Sequence, residues 1–308
     1  MAQLAPLSQL EDGMNAVPAV PFSTSVLLLI HARPDTTRQV LDSLRLVRPR
    51  AVYVAADGPR ASVAGEAERC EEARRIATAT DWDCDMHTLF RSEHMGLEPA
   101  VTSALNWFFD QVEDGIILED DCCPSESFYF FCQDLLDHYR TEPVVMHIGG
   151  NNFQYGRRRG AASYYFSKYA LVWGWATWRR AWDQFRTDEL EHGQLAPTWD
   201  AQWQQTLERH GGLAIVPNVN LVSNVGFGQD ASHTLALERY SFLPAVNIDF
   251  PLVHPDQLAV NKAADVFTYY SHFRNVATLD LIWLYRLWDS VYTFLKRTKR
   301  RILGQTLA

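Results

Sequence analysis

Short apolar runs separated by amphipathic stretches dominate the first half of the chain. Residues 26–30 are five apolar residues in a row, and 51–55, 86–90, 115–118 and 144–148 repeat the theme. Runs this short and this apolar read as strands buried in a sheet. The stretches between them have helical character. Pro34 and Asp35 open one helix to about Val47, since both residues favour a first turn. A polar helix covers about 61–79. Residues 97–112 place Leu97, Val101, Ala104, Leu105 and Phe108 on one helical face, and 128–139 form a fourth helix. Strands alternating with helices predict βαβ units and a largely parallel sheet. Residues 1–22, with Pro6, Pro18 and Pro21, read as a loose leader.

After Gly149-Gly150 the alternation breaks down. A polar stretch, 151–163, carries Arg157-Arg158-Arg159 and reads as a mobile loop, solvated or ordered over a bound ligand. An aromatic block, 164–182, follows. A helix is predicted over 199–209, a short strand over 214–216, and a glycine-containing loop over 224–233. Residues 279–295 are rich in Leu, Trp, Tyr and Phe and lead into Lys296, Arg297, Lys299, Arg300 and Arg301. An apolar, aromatic helix with a basic end can lie on an anionic membrane surface. The same helix could equally pack on the body of the protein.

Composition narrows the function. The 308 residues, 47% hydrophobic and 21% charged, are those of an ordinary globular protein with a sizeable core. A net charge of −9 argues against nucleic acid as a partner. Six of the ten tryptophans lie between Trp173 and Trp203; such density suits a sugar-contacting cleft or an aromatic core. Five cysteines without a C-x-x-C pair fit free thiols in a reducing, cytoplasmic setting. No secretory signal or spanning segment is recognisable, and no Cys/His spacing supports a zinc site.

The chemistry gathers where the strands end. The run 115–118 leads into Glu119-Asp120-Asp121. Three adjacent carboxylates beside a core repel one another and need something positive to neutralise them. A divalent cation carrying a phosphorylated ligand would do this; a solvated acidic turn or helix cap is the alternative. Open α/β sheets bind ligands at the carboxyl ends of their strands. The first strand ends in His31-Ala32-Arg33, the second in Asp57, and His94 follows the third. Trp173-Gly174-Trp175, Trp199-Asp200-Ala201-Gln202-Trp203 and Gly226-Phe227-Gly228-Gln229-Asp230-Ala231-Ser232-His233 come later.

In this order, over about residues 24–240, the chain resembles the GT-A nucleotide-sugar glycosyltransferases. Within them it is most similar to glycosyltransferase family 13, the N-acetylglucosaminyltransferase I type, and its bacterial relatives. The resemblance implies an α/β, GT-A (Rossmann-like) fold with a mostly parallel sheet flanked by helices. It divides 23–276 into a nucleotide-sugar half, about 23–150, and an acceptor half, about 151–276, followed by a helical tail, 277–308. It also implies roles. Arg33 contacts the nucleotide, Asp57 accepts the uracil N3–H, and His94 lines the same site. Asp121 binds Mn²⁺ or Mg²⁺, which bridges the donor phosphates, while Glu119 and Asp120 hold sugar and ribose hydroxyls. Trp175, with Trp173, walls the donor sugar or acceptor, core packing being the alternative. Asp200 is the general base, with Asp230 and Asp183 as competitors. The loop carrying Ser232 closes over the diphosphate, and His233 is a further metal ligand.

The activity implied is inverting, metal-dependent transfer of a sugar, N-acetylglucosamine being one option, from a UDP-sugar to a glycan or glycolipid acceptor. Eukaryotic members of the family carry a membrane anchor that is not recognisable here. A cytoplasmic enzyme of surface polysaccharide synthesis, peripheral on the membrane through its tail, fits better. Two rivals stay open: a sugar nucleotidyltransferase, which would usually carry a Gly-rich loop after the first strand, and a non-catalytic carbohydrate- or membrane-binding protein.

Overall fold

A computed structural model describes residues 20–193, 196–226 and 243–274. The expectations for Phe227, Gly228, Asp230, Ser232, His233 and the tail 277–308 fall outside these residues. The chain begins with strand β1 (Val26–Ile30), helix α1 (Pro34–Val47), β2 (Ala51–Ala56), α2 (Glu66–Ala77), β3 (Asp85–Phe90), α3 (Leu97–Phe109) and β4 (Asp114–Glu119). It continues through β5 (Cys122–Pro124), α4 (Glu126–His138), β6 (Val145–Gly149), β7 (Tyr164–Ser167), β8 (Trp175–Trp178) and α5 (Arg179–His192). Helix α6 (Trp199–His210), β9 (Leu213–Pro217), β10 (Val222–Asn224) and α7 (Lys262–Thr268), which runs on into a π-helical turn (Tyr269–Phe273), complete the described elements. The predicted α/β alternation is therefore present.

Among the described residues, eight strands form one sheet in the order β3-β2-β1-β4-β8-β6-β9-β7. The half β3-β2-β1-β4 is wholly parallel. Strand β8 then runs antiparallel between β4 and β6, so part of the aromatic block is a central strand. The sheet continues past residue 150 through β9, parallel to β6, and β7, antiparallel to β9. The result is a mixed, mostly parallel, Rossmann-like α/β fold.

The apolar runs are continuous because both faces of the sheet are covered. Val26, Leu28 and Ile30 face one core with Val40, Leu44 and Phe131. Leu27 and Leu29 face the other with Leu105, Phe108 and Trp182. This is the two-residue period of a strand expressed between two apolar layers. Each fully buried large apolar side chain contributes roughly 1.5–3 kcal/mol by leaving water. Among the described residues no helix is long and apolar enough to cross a membrane.

Register fixes where the site lies. Ile30 pairs with Ala56, and Ala56 with Phe90. Leu29 pairs with Glu119. Four strands thus end side by side, and the next residues, His31, Asp57, Arg91 and Asp120, emerge along one sheet edge. Strand β1 is the switch point: β2 lies on one side of it and β4 on the other. Ligands of open α/β sheets bind in the crevice at such a point.

Candidate functional site

A cleft of about 410 Å³ opens at this edge. Arg33, Asp57, His94, Glu119, Asp120 and Asp121 all line it, so six predicted residues from four strand ends meet there. Its inner wall is apolar and small-sided, with Leu29 and Ala55 of the sheet facing Ala100, Val101 and Ala104 of α3.

The acidic tripeptide is buried rather than a solvated turn: Asp120 is 5% exposed and Asp121 9%. Arg33 Nη1 lies 2.7 Å from Asp121 Oδ2 and 3.4 Å from Asp120 Oδ1. The backbone N–H of His31 donates to Asp120 Oδ2 at 3.0 Å. Burial opposes the charge on Arg33, but Asp120 and Asp121 outweigh it and raise its pKa. Burial, then repulsion from Asp121, pushes the Asp120 carboxyl up to about 7. Burial, Asp121 and Asp120 likewise raise Glu119. Three carboxyl groups thus crowd one guanidinium, the raised pKa values of Glu119 and Asp120 register burial and a repulsion that a cation would relieve, and the donors are hard oxygens. Both properties fit a divalent cation of the Mn²⁺ or Mg²⁺ type.

A second chain segment reaches this cluster. Strands β5 and β10 pair antiparallel, placing Asn224 beside Cys122. Asn224 Nδ2 donates to Asp121 Oδ1 at 3.3 Å, and the Val225 N–H to the Asp121 carbonyl at 2.8 Å. Gly226 follows so closely that a side chain there would overlap the Asp121 carboxylate.

Asp57 differs from expectation. Its carboxylate accepts the backbone N–H groups of Gly58 and Met95 at 2.9 Å and of Gly96 at 3.2 Å. His94 Nδ1 lies 2.7 Å from Oδ2. A carboxylate has about four acceptor positions, so these contacts fill it. Asp57 ties the 93–96 loop to the end of β2, and a uracil N3–H would have to displace one of those partners.

Trp175 does not wall the cleft. It is 1% exposed in β8 and stacks on His147 and Trp199 at ring-centroid distances of 5.2 and 6.0 Å. Trp173, two residues earlier, is on the opposite face and does line it. Residues two apart in a regular strand share a face; the Gly174 turn, with φ of +60°, precedes the strand and puts the two rings on different sides of the sheet. Trp175 instead supports the start of α6, which carries Asp200. Asp200 is exposed in the first turn of that helix, outside the cleft lining. Gln202 Nε2 donates to Glu98 Oε1 at 2.5 Å, tying the start of α6 to that of α3. The charge of Asp200 is near enough to contribute to the raised pKa of Glu119. Asp183 pairs with Arg186 at 3.1 Å on α5, away from the cleft.

The arginine triplet is also accounted for. Arg159 Nε donates to Gln154 Oε1 at 2.6 Å, and Asn218 Oδ1 accepts the Arg159 N–H at 2.7 Å. The guanidinium groups of Arg157 and Arg159 lie 4.5 and 5.4 Å from the Phe267 ring centroid on α7. Cation–π contact with this ring docks the loop there, not over the cleft.

Three basic cleft residues were given no role from the sequence: His31, Arg60 and Arg91. Arg60 is gripped by Glu66, whose Oε1 lies 2.5 Å from Nη2. That bond holds the buried Glu66 carboxyl down at about 2. Arg91 Nη2 donates to Ser103 Oγ at 2.7 Å. The available signal was positional: His31 and Arg91 stand directly after β1 and β3, and Arg60 lies four residues beyond the end of β2.

No family model and no curated protein matches the chain. Among solved structures it is similar to UDP-glucose pyrophosphorylase complexed with UDP-glucose (9% identity, 62% of this chain and 89% of that one, TM-score 0.37). The apo form of UDP-glucose pyrophosphorylase gives 8% identity over the same shares and a TM-score of 0.38. A cytidylyltransferase from Leptospira borgpetersenii serovar Hardjo-bovis (strain JB197) gives 13%, 56% and 68%, and 0.34.

Proposed function

We propose that this cleft binds a UDP-sugar and that the protein is an inverting, metal-dependent glycosyltransferase resembling glycosyltransferase family 13. One observation carries the reading: Arg33, His94 and the three carboxylates, dispersed over 89 positions of sequence (33 to 121), meet in one cleft at the sheet's switch point. A guanidinium next to buried carboxylates suits a phosphate–ribose edge. The apolar wall of Leu29, Ala55 and Ala104 has room for a flat base. Asp121 would hold the Mn²⁺ or Mg²⁺ ion, which when bound supplies positive charge against the leaving diphosphate. Glu119 and Asp120 accept donor hydroxyls.

In the reaction the acceptor oxygen attacks the anomeric carbon. The bond from that carbon to the diphosphate breaks, and its electron pair leaves with UDP. Asp200 takes the hydroxyl proton as general base. N-acetylglucosamine is the sugar favoured by the family resemblance, and a glycan or glycolipid of surface polysaccharide the acceptor. Residues 277–308 would hold the enzyme on the cytoplasmic membrane face.

A second reading, a sugar nucleotidyltransferase, draws on Arg60 and Arg91, which add cationic groups at the ends of β2 and β3. The two readings differ in the bond broken. Incubation with UDP-N-acetylglucosamine and Mn²⁺ releases UDP and free N-acetylglucosamine, water taking the sugar in place of the acceptor, if the protein is a glycosyltransferase. With added pyrophosphate, a nucleotidyltransferase forms UTP and the sugar 1-phosphate. UTP formation would replace the first reading with the second. No thermal shift with any UDP-sugar would overturn both, since a ligand that favours the folded state raises its melting temperature.

A further inference from the structure

We propose that His31, Asp57 and His94 form a transition-metal site, separate from the carboxylate cluster, at the ends of β1 and β2. One imidazole nitrogen of each histidine and one Asp57 carboxylate oxygen lie within 4.8 Å of one another. The two rings have centroids 5.5 Å apart and are tilted by 40°. All three side chains line the cleft.

Chemistry and surroundings favour an ion here. Two imidazoles and a carboxylate are ligands for Zn²⁺, Co²⁺ and similar ions, whereas Mg²⁺ prefers oxygen alone. Bonds of about 2.0–2.2 Å would place tetrahedral ligand atoms roughly 3.3 Å apart. The three groups reach this by side-chain rotation: His94 and Asp57, now 2.7 Å apart, open slightly, and His31 moves in. His31 Nε2 is buried and makes no hydrogen bond. It faces Glu66 Oε1 at 3.7 Å, while Nδ1 is 3.9 Å from Cys70 Sγ. Whichever nitrogen binds, the other keeps a polar neighbour, as metal-bound histidines commonly do. Asp57 is already oriented by the N–H groups of Gly58, Met95 and Gly96.

Three protein ligands leave a position open, and here it faces the cleft. Sites of this form hold an oxygen of a bound molecule, whereas structural zinc sites use four protein ligands. The inference stands independently of the sugar-nucleotide reading, because it needs only the three side chains and the ion.

Co²⁺ is the probe, added to the full chain without nucleotide and followed by its visible d–d absorption. One equivalent is expected to give a band that Zn²⁺ displaces. His31→Ala and His94→Ala each remove the band and weaken Co²⁺ binding by about 10²-fold, while Asp121→Asn keeps both band and affinity. Absence of the band in the wild type, or its loss in Asp121→Asn alone, overturns the proposal. X-ray absorption of the wild-type Zn²⁺ form tests it without any variant. Two imidazoles in the first shell at about 2.0 Å support it; an all-oxygen shell overturns it.

Discussion

At the scale of single residues, Asp121 and Asp200 sit in opposite surroundings, one buried in the cleft and one exposed outside its lining. Asp121 touches Arg33, Asn224 and the turn before Gly226, so it is where two chain segments close around one carboxylate. Asp121→Ala is expected to abolish Mn²⁺-dependent UDP binding in calorimetry; unchanged affinity would remove the metal from this position. Asp200 is exposed and bound to none of these groups. Asp200→Asn should therefore leave UDP affinity intact while turnover falls by roughly 10²–10⁴-fold, the size of a general-base contribution. Near-normal turnover would move the base elsewhere. The same scale shows why Arg33, His94 and the tripeptide were legible: each is a charged residue immediately beyond an apolar strand or in the loop after one. Trp175 was misjudged because alternation puts neighbouring odd-numbered residues on one face only while a strand stays regular. The strand begins at Trp175, and the Gly174 turn before it, with φ of +60°, reverses the face of Trp173.

At the scale of elements, the loop 93–96 is held less by its own residues than by the end of β2. Removing the Asp57 carboxylate leaves the amides of Met95 and Gly96 without their acceptor at the start of α3. Asp57→Ala is expected to cost about 1–3 kcal/mol, with amide exchange of Met95 and Gly96 accelerated far more than that of β2. Uniform acceleration across β2 and α3 would show instead that the variant loosens the sheet. The β5–β10 pair has a comparable role on the other side of the cleft. It brings residues 222–224 to 122–124, a hundred positions away. Nothing in either three-residue segment announces this pairing, because so short a strand has no periodicity to read.

At the scale of the whole molecule, the sheet joins the two regions divided at residue 150, and His147 lies where they meet. It is 0% exposed in β6. Its Nε2–H donates to the Leu171 carbonyl at 3.0 Å, and Nδ1 accepts from Trp203 Nε1 at 3.2 Å. Burial lowers its pKa to about 4. The unfolded chain, near 6.5, binds the proton more readily, so this histidine's contribution is complete above pH 6.5 and is lost as pH falls through 4. The loss is on the order of 3 kcal/mol. Denaturant melts from pH 7 to 4 should show it, and His147→Gln should flatten that acid limb; an unchanged limb would assign the acid sensitivity to other groups. The sequence by itself determined the strands and helices of the first half, outside the short β5, and the concentration of charge at strand ends, because these follow from local periodicity and from the cost of burying unpaired charge. Only the tertiary structure decided that β8 runs antiparallel in the centre of the sheet, that three backbone amides and His94 surround the Asp57 carboxylate, and that His31, Asp57 and His94 converge. Those outcomes depend on register and crossover, which set distances between residues far apart in the chain and leave no mark on any short stretch of it.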